Sequence, residues 1–351
     1  MTLSADHDRR NALLGACAFM IAHGLFAAPA WAQAETKAKP TLRPVRIASA
    51  QGNQVVTMQE LVRSQGYLEE FGIDPEILTV GDGTKLIGAL LSGSSDICVF
   101  AGFNQTLAAI EKGARMKIIA GASITGQQAV FSAKPEIKSV LDLAGKTVGV
   151  GALGAQLHQV MIALLKKKGV DTSGVRFVNI GSSADVFRAI VAKTVDAGPA
   201  QADIFNQLEK YKVHMLEGGN FTRDLPEYTW QASFAMDRVI AAHRDLLVRV
   251  LAAYGKAYRF VQSDPASKEA FMRARWRALG GASFDVAAEE AAGQWQFVQD
   301  NKPYALDLRI SPERVEYMQR LNVDVGAQRK MLPYEQITDM SLAADAVRLM
   351  G

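Results

Sequence analysis

The sequence predicts an α/β protein built as two similar lobes. Short β-branched runs alternate with helical patterns at a pace that implies largely parallel, covered sheets. The same grammar then restarts in mid-chain. Residues 86–96 read as an apolar helix, a tight turn and an Asp that opens a strand, and residues 186–196 repeat that order. Two alike units follow, rather than one long sheet.

The first unit opens with a strand at 45–49, a polar turn at Ala50-Gln51-Gly52-Asn53 and a helix reaching residue 65. A strand at 76–80, a helix at 84–91, a strand at 96–100, a turn at Ala101-Gly102-Phe103-Asn104, a helix to 112 and a strand at 116–120 complete it. The second unit runs through a strand at 146–150, a glycine-punctuated turn at 151–154, a helix at 156–168, a strand at 176–180, a helix at 184–193 and a strand from Asp196. Segments 128–134 and 228–236 are rich in strand formers and are expected to cross between the lobes. Beyond Val239 the pattern is helical, at 241–262, 267–279, 286–299 and 312–320, and these helices should pack back on the first lobe. The expected organisation is residues 44–127 with 237–351 as one lobe and 128–236 as the other.

At the N-terminus, Arg9 and Arg10 precede an apolar stretch at 12–28, and Ala30-Trp31-Ala32 supplies small residues for cleavage. Residues 1–32 therefore read as an export signal, Sec or twin-arginine, and the Lys/Pro-rich 33–43 as a disordered leader. Elsewhere no apolar run approaches the ~20 residues of a membrane span, so a soluble periplasmic protein is expected. Cys17 leaves with the signal, and Cys98, in an apolar strand, reads as a buried thiol with no disulfide partner. A formal charge of +3 over 351 residues gives no basic face for nucleic acid.

Chemistry-bearing patterns are few. The turn at 151–154 leaves the first N–H groups of the following helix free and aims its positive dipole end outward, a ready anion site. It is not a phosphate loop, because no Gly-Lys-Ser/Thr follows, and it lacks the acidic residue that a dinucleotide site needs at the end of a second strand. His158, His214 and His243 have no metal-ligand spacing, and no nucleophile elbow or carboxylate pair is present. No metal, cofactor or catalytic group is expected.

The leader, residues 89–97, the segment 137–150 with its Leu-Ala-Gly-Lys-Thr-Val-Gly-Val run, and the closing 332–339 resemble the substrate-binding proteins of ABC importers. The nearest branch is the sulfonate, taurine, nitrate and thiamine-precursor group. That resemblance implies a type II periplasmic-binding-protein fold, with two crossing strands as a hinge. A monomer would close on one small organic anion and deliver it to a membrane permease.

It also implies contacts from loops at the carboxyl ends of the strands: Gln51, Gly52 and Asn53, then Gly102, Phe103 and Asn104, with Ser123 beyond the fourth strand. From the second lobe come Gly154, Ala155, Gln156, His158, Gln201 and Asp203, and Trp230 offers an aromatic face beside Phe103. Many relatives have a serine hydroxyl at that helix start, where this chain has Ala155. The change disfavours a sulfonate and lets a carboxylate or a flatter, amide-bearing ligand compete. Two other roles share the scaffold, a ligand sensor for a membrane receptor and a pyrimidine synthase, and the second would need a cysteine-rich iron motif that Cys98 alone does not provide.

Overall fold

A computed structural model describes residues 41–80, 83–280 and 283–351, without the side chains of residues 83, 84, 202 and 203. The expected signal and residues 33–40 of the leader lie outside them, and Arg43 already stands in the first strand. No described helix is long and apolar enough to cross a membrane.

The chain begins with β1 (Arg43–Ala50), α1 (Asn53–Ser64), α2 (Tyr67–Glu70), β2 (Ile73–Val80), α3 (Gly83–Ser92), β3 (Ile97–Gly102), α4 (Phe103–Glu111) and β4 (Met116–Gly121). It continues through β5 (Gln128–Ser132), β6 (Thr147–Val150), α5 (Gln156–Lys167), β7 (Arg176–Asn179), α6 (Ser183–Val191), β8 (Gly198–Gln201), α7 (Leu208–Tyr211), β9 (His214–Asn220) and α8 (Phe221–Asp224). After β10 (Gln231–Met236) it is helical: α9 (Asp237–Ser263), α10 (Ser267–Ala278), α11 (Phe284–Asn301), α12 (Pro312–Asp324), α13 (Tyr334–Ile337) and α14 (Ser341–Met350).

Two sheets follow one plan. The first is ordered β2-β1-β3-β10-β4, parallel at β2, β1 and β3, with β10 antiparallel between β3 and β4. In the second lobe β7 pairs with β6 in parallel and β8 pairs with β5, which pairs with β9. A parallel bridge between Val148 and Ala197 joins these pieces into the order β7-β6-β8-β5-β9. Each sheet therefore receives one antiparallel strand from across the chain, β10 in the first and β5 in the second. That strand is why each sheet is largely rather than wholly parallel, in keeping with the expected alternation.

The internal repeat has a side-chain basis. Asp96 accepts from the Arg46 N–H at 2.9 Å while its own N–H bonds the Arg46 carbonyl. Asp196 does the same to Thr147, with its carboxylate on that N–H at 2.6 Å and its N–H on that carbonyl. Arg46 pairs with the first carboxylate and Lys134 with the second. In both lobes one Asp locks the start of a central strand to its neighbour. Gly198 permits the second lock, because a Cβ there would lie 2.5 Å from Val186 Cγ1 and 2.6 Å from the Gly149 oxygen.

The segments expected to cross contain strands, β5 and β10, and each strand is an interior member of a sheet. The chain changes sheets just before them, at 122–127 and at 221–230. In the helical tail, α9 packs on α2 and α10 on α1, as expected, and α14, which was not expected, packs on α9. α11 also reaches the second lobe, where Phe297 meets Phe205 at 5.6 Å. Cys98 is fully buried, and burial pushes its thiol pKa up to about 12.

Candidate ligand-binding cleft

The strand ends of the two lobes face each other. Gln51, Gly52 and Asn53 follow β1, and Asn53 is the first residue of α1 instead of part of the turn. A Cβ on Gly52 would sit 3.8 Å from Gln201 Nε2, so the β1 end of one lobe meets the β8 end of the other. Between them lies a cavity of about 790 Å³, lined by Gln51, Gly52, Asn53 and Gln201 and by groups that sequence reasoning did not place. Those include Ser182, Ser183 and Phe187 at the start of α6, Ile204, Tyr211, and Glu290 from α11. A chamber of this size suits a small organic molecule.

The helix at α6 was expected, and the capping box at Ser182 and Asp185, just beyond the carboxyl end of β7, was a signal that could have placed its start at the cleft. Glu290 had none, since nothing local places α11 against the second lobe.

On the other flank the lobes touch directly. β3 runs to Gly102, so Phe103 and Asn104 open α4 and are not a free turn. Phe100, just before, holds φ at 50° beside a register shift between β3 and β10, and this bends the strand at its cleft end. Gly102 faces Gln156, whose Oε1 would lie 3.5 Å from a Cβ there. Gln156 Nε2 donates to the Trp230 carbonyl at 2.8 Å. Asn104 Nδ2 donates to Gln159 and, at 3.1 Å, to the Tyr228 hydroxyl.

Several expected contacts take other roles. Phe103 is fully buried in the first lobe's core, and the Trp230 ring packs among Phe221 and Tyr228, so it is the Trp230 backbone that meets Gln156. Ser123 is buried, donating to the Thr125 carbonyl and accepting from Gln127. His158 turns to Phe177, 4.7 Å between ring centres, and its Nδ1 accepts the Gly154 N–H at 2.9 Å. Burial holds the His158 pKa below the usual value. Ala155 caps α5 without a side-chain bond. The side chain of Asp203 lies outside the described residues.

The cavity's charges are already matched. Arg188 pairs with Asp185, and Glu290 pairs with the buried Arg275 at 2.6 Å. At the α6 start the capping box pairs the Ser182 N–H with the Asp185 carboxylate at 2.9 Å and the Asp185 N–H with the Ser182 hydroxyl at 3.2 Å. The rest of the lining is amide, hydroxyl, apolar and the backbone of the α6 start.

Residues 58–268, more than half of the chain, match the family model described as NMT1/THI5 like. The chain belongs to the NMT1/THI5-like family. Among relatives, YtlA of Bacillus subtilis (strain 168), whose name assigns it a binding role only provisionally, is 22% identical over 320 residues, spanning 89% of this chain and 92% of that one. The sulphonate-binding protein SsuA of Escherichia coli superposes with a TM-score of 0.67 at 18% identity, covering 84% of this chain and 92% of SsuA. The nitrate-binding protein NrtA of Synechocystis PCC 6803 gives 0.68 at 12% identity, with 88% and 89% covered. At such identities the likeness carries the fold, which is the two-lobed periplasmic-binding-protein architecture that the sequence resemblance implied.

Proposed function

We propose that this chain is an exported solute-binding protein that encloses one small organic molecule between its lobes and hands it to an ABC importer. The observation that carries the reading is the cavity formed where Gln51, Gly52 and Asn53 of one lobe meet Gln201 and the α6 start of the other, at the strand carboxyl ends. We divide the lobes as 44–127 with 231–351 and 128–230, because β10 pairs within the first sheet and so moves 231–236 out of the second lobe, where the sequence reading had put them. The segments 122–127 and 221–230 are the hinge, because they alone carry the chain between the sheets.

A ligand touching both sides binds the closed form better than the open one, so it shifts the population toward closure by its differential affinity. The closed outline is then what a permease reads. SsuA and NrtA, named for sulphonate and nitrate binding, share the fold and support the import role.

Small-angle scattering on the protein, with and without a solute that raises its unfolding midpoint, tests the reading. The radius of gyration should fall on binding. A stabilising solute that leaves the scattering curve unchanged would refute closure between lobes.

A further inference from the structure

Donors remain for the solute at the start of α6 and just before α7. Ser183 and Ala184, the first two residues of α6, line the cavity, and among the described residues no group accepts their N–H. They differ in this from the N–H groups of Ser182 and Asp185, which the capping box pairs. Gln207, immediately before α7, lines the same cavity although it is only 8% exposed, and its side-chain amide has no partner among the described residues. A buried amide without a partner is costly, and such groups in folded proteins are nearly always satisfied.

Aligned N–H groups at a helix start attract a negative group, and the Gln207 amide adds a further donor. The charged residues lining the cavity, Arg188 and Glu290, stand in ion pairs with Asp185 and with the buried Arg275, so neither pair sets the sign of the solute. The Asp185 carboxylate is further engaged by the Ser182 N–H and hydroxyl.

The body of the solute meets a different surface. Phe187 lies one turn on from Ser183 along α6, and its ring meets that of Tyr211, which ends α7, edge to face at 5.2 Å. With Val191 and Ile204 these rings form an apolar corner of the cavity. Four residues of helix rise by about 6 Å, so the donors and the corner suit a head group and the flat ring that carries it.

We propose that the solute is an aromatic acid bound as its anion, with the acid group on the Ser183 and Ala184 N–H groups and the Gln207 amide, and the ring against Phe187 and Tyr211. This rests on the solute-binding reading above, and it puts the anion at α6 instead of at the α5 start that the glycine turn suggested.

The test is thermal unfolding of the protein at neutral pH against probes at about 10 mM, where a millimolar ligand still raises the midpoint. Benzoate, nicotinate and benzenesulfonate carry ring and charge, benzamide and nicotinamide the ring alone, and acetate and methanesulfonate the charge alone. An aromatic anion should raise the midpoint more than its uncharged and aliphatic counterparts do, and carboxylate against sulfonate then identifies the head.

Ser183→Pro removes one N–H at a helix position that tolerates proline, and Ser182, with φ −72° and ψ 165°, suits the place before it. The variant should weaken the aromatic anion by about tenfold with the ligand-free midpoint held, and Ser183→Ala, which keeps the N–H, should weaken it far less. Gln207→Met should also cost about tenfold and leave the ligand-free midpoint level or raised, whereas a merely structural amide would lower it. Stabilisation by the uncharged or the aliphatic probes alone overturns the proposal and leaves solute binding standing. Silence from every aromatic anion, or affinity unchanged in both Ser183→Pro and Gln207→Met, also overturns it, while the scattering test judges the import reading separately.

Discussion

Arg314 fastens both passages between the lobes, and replacing it with Met keeps the stem while removing the donors. The residue sits in the first turn of α12, where Ser311 accepts its backbone N–H at 3.4 Å. Its Nη1 donates to the Ile124 carbonyl at 2.9 Å and to the Pro226 carbonyl at 2.7 Å. Ile124 lies in the first passage and Pro226 in the second. One guanidinium thus ties both to the C-terminal helices. Burial lowers its pKa, and the charge of Glu227 only partly offsets that.

Two bonds from a charged donor are worth about 1.5–3 kcal/mol each. Relief of the buried charge and water's access to the more exposed Pro226 carbonyl take back part of that, leaving a net loss of about 2 kcal/mol. With a urea slope of about 3 kcal/mol/M, the unfolding midpoint should fall by about 0.7 M at unchanged slope. Ligand-free scattering should also broaden, since the passages are freed from α12. A midpoint that moves by less than about 0.2 M, with an unaltered scattering curve, would refute the fastening role.

Ala155→Asp should add the side-chain cap that α5 lacks and raise stability by about 1 kcal/mol in urea unfolding; a loss of stability would show that this backbone N-cap cannot accept it. The same variant should leave the affinity of a solute held at the α6 start nearly unchanged, whereas an anion seated on the α5 start would lose about tenfold by titration. Burial disfavours the charged form of His158, so below the ordinary histidine pKa of ~6.5 the unfolded chain takes up a proton more readily than the folded chain. Stability should therefore be fully present above that pH and decline as pH falls through it. His158→Gln should flatten this part of the urea-midpoint profile, and an equally steep decline in the variant would refute the assignment.

Much of the fold was legible because its signals are local. The alternation of strands and helices, the repeat ending in Asp96 and Asp196 and the glycine turn before Gln156 all appear where they were expected. The repeat even marked a structural device, since each Asp locks its strand by the same pair of backbone bonds. Boundaries moved by a few residues where tertiary pairing extended a strand, as when β3 took in Ala101 and Gly102 and so made Asn104 helical.

The cleft was only half legible. Strand ends could be found in order, which placed Gln51, Gly52, Asn53 and Gln201 around one cavity. The sequence by itself thus determined the α/β class, the two-fold plan and several of the loops that line the cavity, because backbone preference and hydrophobic period act over a few neighbouring residues. Only the tertiary structure decided which side chains of those loops line the cavity. Phe103 went to the core, His158 to its own loop, and Asn104 to Gln159 and Tyr228. Hydrogen bonding and burial depend on partners about 50 to 250 residues away in the chain, as Asn104–Gln159 and Gln54–Tyr304 show. Residue type fixes what a group can offer, and the fold alone fixes what is left for it to meet.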